Sequence, residues 1–279
     1  LRGRGKASAK AGGERGPDQE PARLRVKRGF SMLAEPGTYD EIITVFSPDG
    51  RLLQVEYALE AVKRGATVLG ISCSEGIVLG AEEHVEAELQ DPYFNWKIFE
   101  VDEHIGATVV GLESDARILI DQARIYAQSN WLTYDEPMDV EALTKRIGDI
   151  EQMYTQHAWV RPFGVSIIFG GVDKTGNGLF ATDPSGSYRA YKAVAEGSER
   201  EVAEAILKEE YCEDLKLDEA VKLAVKCLVK VLEAQGKKST VRIAVIPSKT
   251  KRFTMLTAEE VERHIRWATR MVRGSRRRK

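Results

Sequence analysis

The sequence predicts an α+β fold in which two β-sheets stack face to face and helices cover both outer surfaces. Strand-like segments come in groups and helix-like segments come in pairs between them, which is typical of an α+β protein rather than of alternating strands and helices. The strand-like segments are strongly apolar, so that each sheet needs cover on both faces. The chain has 279 residues, of which 43% are hydrophobic, enough to bury a substantial core.

A short amphipathic helix is predicted before the first strand. Leu52, Val55, Leu59 and Val62 recur at helical spacing, and Gly65 follows as a stop signal. The other predicted elements are a turn at 47–50, strands at 67–72, 77–81, 97–101 and 105–111, helices at 114–131 and 140–156, strands at 165–172, 178–182 and 188–194, helices at 199–208 and 217–233, strands at 240–246 and 252–255, and a terminal helix from Ala258.

The charge of the chain is unevenly distributed. Residues 1–31 carry a net charge of +6 and residues 263–279 carry +8, whereas the body between them carries −16. An acidic body with basic ends is not the composition of a nucleic-acid-binding fold, so we do not expect nucleic acid as a partner. We interpret the ends as solvated and mobile, although basic ends of this kind can also contact polyanions.

Composition also suggests the domain boundaries. Residues 1–38 are predicted to be a basic, disordered extension, because residues 1–31 contain no aromatic residue before Phe30. Residues 39–256 are predicted to form one ordered domain, and residues 257–279 a C-terminal helix with a basic tail.

The cellular compartment is predicted from the cysteines and from what the sequence lacks. Cys73, Cys212 and Cys227 are far apart and have no metal-binding spacing, which favours a reducing cytoplasm. No apolar run reaches the length of a membrane helix, and no apolar segment follows the basic N-terminus as a secretory signal would require. We therefore predict a cytoplasmic protein.

Residues 39–61 read YDEIITVFSPDGRLLQVEYALEA, and this segment resembles the N-terminal signature of proteasome α subunits, most closely the archaeal ones. That family has the N-terminal-nucleophile hydrolase fold, a four-layer αββα sandwich, which agrees with the predicted order of elements. Further segments carry the resemblance: KRGAT at 63–67, GL at 111–112, DAR at 115–117, YTQ at 154–156, RPFGV at 161–165 and DPSG at 183–186.

The residues themselves argue against catalysis. A threonine peptidase of this fold needs a threonine whose own free amine acts as the base. Ala66 stands at the aligned nucleophile position and has no hydroxyl, and Thr67 follows 66 other residues, so that its nitrogen is an amide. Lys97 and Glu82 align with the lysine and the acid of the catalytic relatives. We predict a non-catalytic subunit without cofactor or metal.

Other candidate groups have ordinary interpretations. Glu82-Glu83 is predicted to be a solvated strand end. The four histidines, at 84, 104, 157 and 264, lack metal-binding spacing.

The resemblance implies two sites in a homo-oligomeric, seven-membered ring that joins proteasome β subunits. Tyr39, Asp40, Pro48 and Tyr57 would stabilise the open gate through which unfolded polypeptides pass. A pocket containing Lys97 would bind the C-terminal carboxylate of an activating ATPase, since an ammonium group suits a carboxylate. The other residues assigned to this pocket are Gly65, Gly111 and Leu112.

This sequence departs from the family pattern in several places. Glu41 replaces an arginine, Ala158-Trp159 replaces Gly-Gly, and residues 84–86 and 93–96 also differ from the usual basic and polar run. The basic leader is either an extended plug or the result of an upstream translation start, with Met32 as the true beginning.

Three other functions stay open at this stage. One is a peptidase processed to expose Thr67, and another is a paralogue that has lost ATPase-dependent gating. The third is a binding protein that uses its basic ends.

Overall fold

The computed structural model describes residues 44–84, 89, 97–235 and 239–276, and for residues 271–276 the backbone only. The elements, in chain order, are α1 (Leu53–Arg64), β1 (Val68–Cys73), β2 (Gly76–Glu83), β3 (Ile98–Asp102), β4 (Ile105–Gly111), α2 (Glu113–Tyr134), α3 (Val140–Gln156), β5 (Val165–Val172), β6 (Asn177–Thr182), β7 (Tyr188–Ala190), β8 (Ala193–Glu196), α4 (Arg200–Glu210), α5 (Leu217–Gln235), β9 (Thr240–Pro247), β10 (Thr254–Met255) and α6 (Ala258–Arg276).

The strands form two antiparallel five-stranded sheets. Sheet I has the strand order β10-β9-β2-β1-β8, and sheet II has the order β3-β4-β5-β6-β7. In sheet I, β2 lies between β1 and β9, with Leu79 opposite Gly70 on one side and Ala244 on the other. Central strands of this kind are buried on both faces, and every residue of β2 and of β5 is buried.

Three hydrophobic clusters correspond to the three interfaces of a four-layer sandwich. The first lies between sheet I and helices α4, α5 and α6. The second lies between sheet II and helices α2 and α3. The third lies between the two sheets and includes Val62 from α1, which packs against β4 and β5. The predicted α+β fold, the αββα sandwich of the N-terminal-nucleophile hydrolases, is confirmed.

One predicted strand is wrong. Residues 188–194 were expected to form a single strand, but β7 ends at Ala190 and belongs to sheet II, whereas β8 begins at Ala193 and belongs to sheet I. The chain crosses between the sheets at the two residues between these strands. Tyr191 N donates to Leu179 O in sheet II at 2.9 Å, and Lys192 O accepts from Ser72 N in sheet I at 2.8 Å. The sequence of residues 188–194 contains no turn signal that would reveal this change of sheet.

Candidate functional site

Gly65 and Gly111 lie in close contact at the end of α1. Gly65 N donates to Val62 O at 3.0 Å and ends the helix. A Cβ atom on Gly65 would lie 2.6 Å from Val110 Cγ2 and 2.9 Å from Gly111 N, distances that real Cβ atoms do not show. Glycine is therefore required here because two backbone segments approach each other closely.

Gly111 ends β4 in a conformation that favours glycine. Its φ is +116°, and a Cβ atom on it would lie 2.2 Å from Gly164 O. The next residue, Leu112, donates its N–H to the same carbonyl at 2.9 Å and precedes α2. The Leu112 side chain is exposed, so that it presents an apolar surface beside the two glycines. The structure thus brings together three of the four residues assigned to the docking pocket.

Lys97, the fourth of these residues, is bound to β4 through its backbone. Its carbonyl accepts hydrogen bonds from Val109 N and Thr108 Oγ1, both at 2.9 Å. The lysine is only 7% exposed in the isolated chain. Burial lowers the pKa of Lys97, and the negative charges of Glu113, Glu82 and Glu83 partly oppose this shift. The ammonium group therefore lies in a partly desolvated, acidic environment.

The interpretation of Glu82-Glu83 as a solvated strand end is wrong, because both glutamates are buried. Glu82 Oε2 accepts hydrogen bonds from Thr67 N and from Gln235 Nε2, each at 3.1 Å. Glu83 pairs with Arg242, with 2.9 Å between Glu83 Oε2 and Arg242 Nε. The end of β2 is buried because neighbouring strands flank it on both sides and Gln235, at the end of α5, reaches over it.

Thr67 is a buried residue within the chain and has no free amine. Its nitrogen donates to Glu82 as a peptide N–H, and its Oγ1 accepts from Glu199 N at 3.3 Å. The backbone of Gly197, at a φ of +116°, lies so close that a Cβ atom there would be 2.8 Å from Thr67 Cα. An amide nitrogen has no useful basicity, and neighbouring Ala66 carries no hydroxyl group.

The loop before β5 is attached to the start of α2 by a charged pair. Arg161 Nη1 and Nη2 donate to the two carboxylate oxygens of Asp115 at 2.6 and 2.7 Å. Gly164 N also donates to Asp115, at 2.9 Å. The pair positions Gly164, whose carbonyl accepts a hydrogen bond from Leu112 N in the predicted docking pocket. Both charged residues occur in the recognised segments, but a pair 46 positions apart gives no periodic signal in the sequence.

The predicted gate cluster is described only in part. Tyr39 and Asp40 lie outside the described residues. Pro48 lies in an exposed turn in which Gly50 N donates to Ser47 O at 2.8 Å and Gly50 has a φ of +76°, which confirms the predicted turn. Tyr57 lies on α1 with 49% of its surface exposed, so that it is available to a further contact.

Trp159, one of the departures from the family pattern, is fully exposed and has a φ of +70°. This left-handed conformation strains a bulky residue and favours glycine, the residue expected here from the family resemblance. Because the residue is fully exposed, the indole makes no buried contact within the described residues.

The part of the chain that the structure describes contains neither a metal-binding cluster nor a membrane-spanning helix. No group of three or more His, Cys, Asp or Glu side chains is arranged to hold a metal ion within this part. None of the described helices combines the length and apolarity needed to cross a membrane.

Comparison with family models covers residues 39–246, which include most of the residues that the structure describes. A family model described as a proteasome subunit matches residues 62–246, and one described as the N-terminal signature of A-type proteasome subunits matches residues 39–61. Three similar proteins, all named as alpha subunits of the proteasome, come from Thermococcus sibiricus (48% identity, 84% of this chain and 89% of that protein), Methanothermobacter thermautotrophicus (48%, 81% and 92%) and Methanopyrus kandleri (48%, 83% and 94%). The matched ranges include all the residues assigned to the predicted docking pocket, as well as Pro48 and Tyr57.

Proposed function

We propose that this chain, which belongs to the proteasome α-subunit family, forms the outer ring of the core particle. In this ring it does not catalyse proteolysis but controls the entry of substrates. As a member of that family it belongs to a ring assembly with β subunits. More specifically, we propose that the α ring consists of seven copies of this chain and lies in the cytoplasm. It admits unfolded polypeptides to the β-ring chamber.

The observation that carries the non-catalytic role is the position of the N-terminal signature. Residues 39–61 match it, and only residues 62–65 separate them from Ala66 and Thr67, so that the start of β1 follows an upstream segment of the chain. Thr67 N is then a peptide nitrogen bonded to a buried carboxylate, and the residue before it lacks a nucleophile. Both features support a subunit that contributes structure and gating rather than peptide-bond cleavage.

Docking of an activating ATPase is proposed for the pocket of Lys97, Gly65, Gly111 and Leu112. The two glycines let the end of α1 and the end of β4 approach each other closely, and Leu112 offers an exposed apolar surface beside them. A tail carboxylate would pair with the Lys97 ammonium, and its partial desolvation would strengthen that pair.

Gating is proposed for residues 1–38, with Tyr39, Asp40, Pro48 and Tyr57 holding the open state. The exposed turn at Pro48 and the partial exposure of Tyr57 support this assignment, since both residues have surface that a neighbouring subunit could contact. Two phenols and a carboxylate can form hydrogen bonds across a subunit boundary.

The test is the size and peptidase activity of the purified chain, alone and after co-expression with a proteasome β subunit. Native mass spectrometry should find a seven-membered ring that does not cleave a fluorogenic peptide, and a four-ring particle that does once the β subunit is present. A monomer that cleaves the peptide unaided, with Thr67 at a new N-terminus, would overturn the proposal.

A further inference from the structure

Three polar side chains lie on one face of sheet I, where the pairing of β2 with β9 ends. In the pairing of β2 with β9, Glu82 is opposite Val241 and Glu83 is opposite Thr240, which places His84 beside Ser239. Because alternate residues of a strand point to the same face, Glu82, His84 and Ser239 share the face that Val241 presents to the helical layer. This juxtaposition follows from the strand register.

The three side chains are connected in series. Ser239 Oγ is hydrogen-bonded to His84 Nδ1, and His84 Nε2 lies 3.3 Å from Glu82 Oε1. Glu82 is completely buried, and its Oε1 has no hydrogen bond of good geometry within the described residues. A buried carboxylate needs a partner, and the imidazole is the group placed to supply one. If Nε2 carries the proton, Nδ1 is free to accept the proton of the Ser239 hydroxyl.

An apolar cavity of about 490 Å³ opens beside this serine, between α5, β9 and α6. Ser239 contributes to its lining, and Ser239 and His84 are both partly exposed. The lining is mainly aliphatic, with Leu232, Leu256, Val261 and Ile265 among its residues. A hydroxyl–imidazole–carboxylate series next to an apolar cavity is the arrangement used for acyl transfer.

We propose that Ser239 and His84 form a second, nucleophilic site that acts on carboxylic esters with an apolar acyl chain, with Glu82 as a positioning residue. Ser239 Oγ attacks the carbonyl carbon and passes its proton to His84 Nδ1. The carbon–oxygen bond to the alcohol then breaks, and the imidazole returns the proton to the departing alkoxide. Water attacks the acyl-serine with His84 as base, which releases the carboxylic acid and restores the serine hydroxyl.

The reaction proposed here is distinct from the proposed gating function. Its reacting groups, Ser239 and His84, are not docking-pocket residues, whereas the positioning residue Glu82 also accepts a hydrogen bond from Thr67 N and acts electrostatically on Lys97. Substitution of Ser239 should therefore remove ester cleavage while ring assembly and gating persist, so that failure of either proposal is distinguishable from failure of the other.

The experiment uses the full chain purified without β subunits, so that no threonine nucleophile is present. The chain is treated with a fluorophosphonate and digested, and the modified peptide is identified by mass spectrometry. Hydrolysis of p-nitrophenyl acetate and p-nitrophenyl butanoate is measured in parallel. We expect modification of Ser239 and faster hydrolysis of the butanoate, because its longer acyl chain enters the apolar cavity.

Variants separate this chemistry from a structural effect. Ser239→Ala should remove both the modification and the hydrolysis, whereas Ser74→Ala, which removes an exposed hydroxyl bonded to Leu215 O, should leave both unchanged. His84→Gln should slow hydrolysis by about a hundredfold, the usual contribution of a general base. Glu82→Gln should slow hydrolysis by about tenfold, with partial recovery in Glu82→Asp. A folded chain with no adduct on Ser239, or undiminished hydrolysis by Ser239→Ala with its thermal midpoint unchanged, would refute the proposal.

Discussion

Asp115 binds Arg161 through both of its carboxylate oxygens and also accepts a hydrogen bond from Gly164 N. The carboxylate is buried, whereas the arginine is mostly exposed, so that the pair has one fixed and one solvated member. It connects the first turn of α2 to the segment that leads into β5. Through the Gly164 carbonyl, which Leu112 N reaches at 2.9 Å, the pair also determines the shape of the candidate docking pocket.

Asp115→Asn should destabilise the chain by about 1.5–3 kcal/mol at pH 7, since hydrogen bonds to a charged group are lost. Burial by itself raises the pKa of Asp115, but the hydrogen bonds from Arg161 and Gly164 outweigh it and hold the pKa below its ordinary value of 3.8. A lowered native pKa gives stability that is present above the unfolded-state pKa and is lost as the pH falls through the native one. Urea unfolding at several pH values should show the difference between the two proteins shrinking below about pH 4.

Asp149→Asn is the matched control for this experiment. Asp149 also pairs with a basic residue, Lys145, at 3.1 Å, but both side chains are exposed. An exposed pair contributes about 0–1 kcal/mol. Equal destabilisation by the two substitutions would show that burial of Asp115 is not the source of its effect.

Glu151→Gln should make the chain more stable at alkaline pH. Glu151 is completely buried on α3, with Thr182 Oγ1 donating to its Oε1 at 3.1 Å and no partner for Oε2 within the described residues. Burial raises the pKa of Glu151 well above its ordinary value of 4.5. A raised native pKa gives stability that is present below the unfolded-state pKa and is lost as the pH rises through the native one.

Thermal and urea unfolding between pH 4 and pH 9 would test this prediction. The native protein should lose stability relative to Glu151→Gln as the pH rises above about 4.5, and by about 1–3 kcal/mol once the buried carboxyl ionises. Glu141→Gln, on the exposed side of the same helix, should show no such trend. Parallel pH curves for the native protein and Glu151→Gln would contradict the prediction.

Lys97→Ala should abolish ATPase-stimulated peptide entry while ring assembly persists. Removal of one charge-assisted hydrogen bond weakens tail binding by about tenfold or more. The measurement is peptide hydrolysis by the α–β particle with and without the ATPase, and native mass spectrometry reports assembly. Lys145→Ala, which changes an exposed lysine on α3, serves as the control. Unchanged stimulation in Lys97→Ala would remove this residue from the docking pocket.

Deletion of residues 1–38 should raise basal peptide hydrolysis by the assembled particle, because a gate segment would no longer cover the entrance. Hydrolysis of a short fluorogenic peptide without ATPase is the measurement. Removal of the basic residues 277–279 at the other end of the chain is the control for a change of net charge. If the deletion leaves the basal rate of peptide hydrolysis unchanged, residues 1–38 are not the gate.

The order of the elements could be predicted from the sequence because hydrophobic periodicity is a local property. The helix ahead of Gly65 and the paired helices after β4 and β8 occur where the spacing indicates them. The break between β7 and β8 could not be predicted, because apolar and polar residues continue through Lys192 without a turn signal. Which sheet a strand joins depends on partners elsewhere in the chain.

The candidate site, like the fold, could be predicted from the sequence only in part. Gly65, Gly111 and Leu112 could be assigned from contiguous segments, and the structure places them together. The burial of Glu82 could not be predicted, because Gln235, which covers it, lies 153 residues away. A charged residue at a strand end usually faces water, and only the tertiary arrangement reverses that expectation.

The crossing at Tyr191 and Lys192 has a consequence for how the domain unfolds. Adjacent residues of the backbone are hydrogen-bonded to different sheets, Tyr191 to Leu179 and Lys192 to Ser72. The two sheets therefore cannot move apart at this edge unless at least one of these two backbone hydrogen bonds breaks. We therefore expect the two sheets to unfold together at this edge, because a force on the strand after the crossing is transmitted to the hydrogen bonds of both sheets.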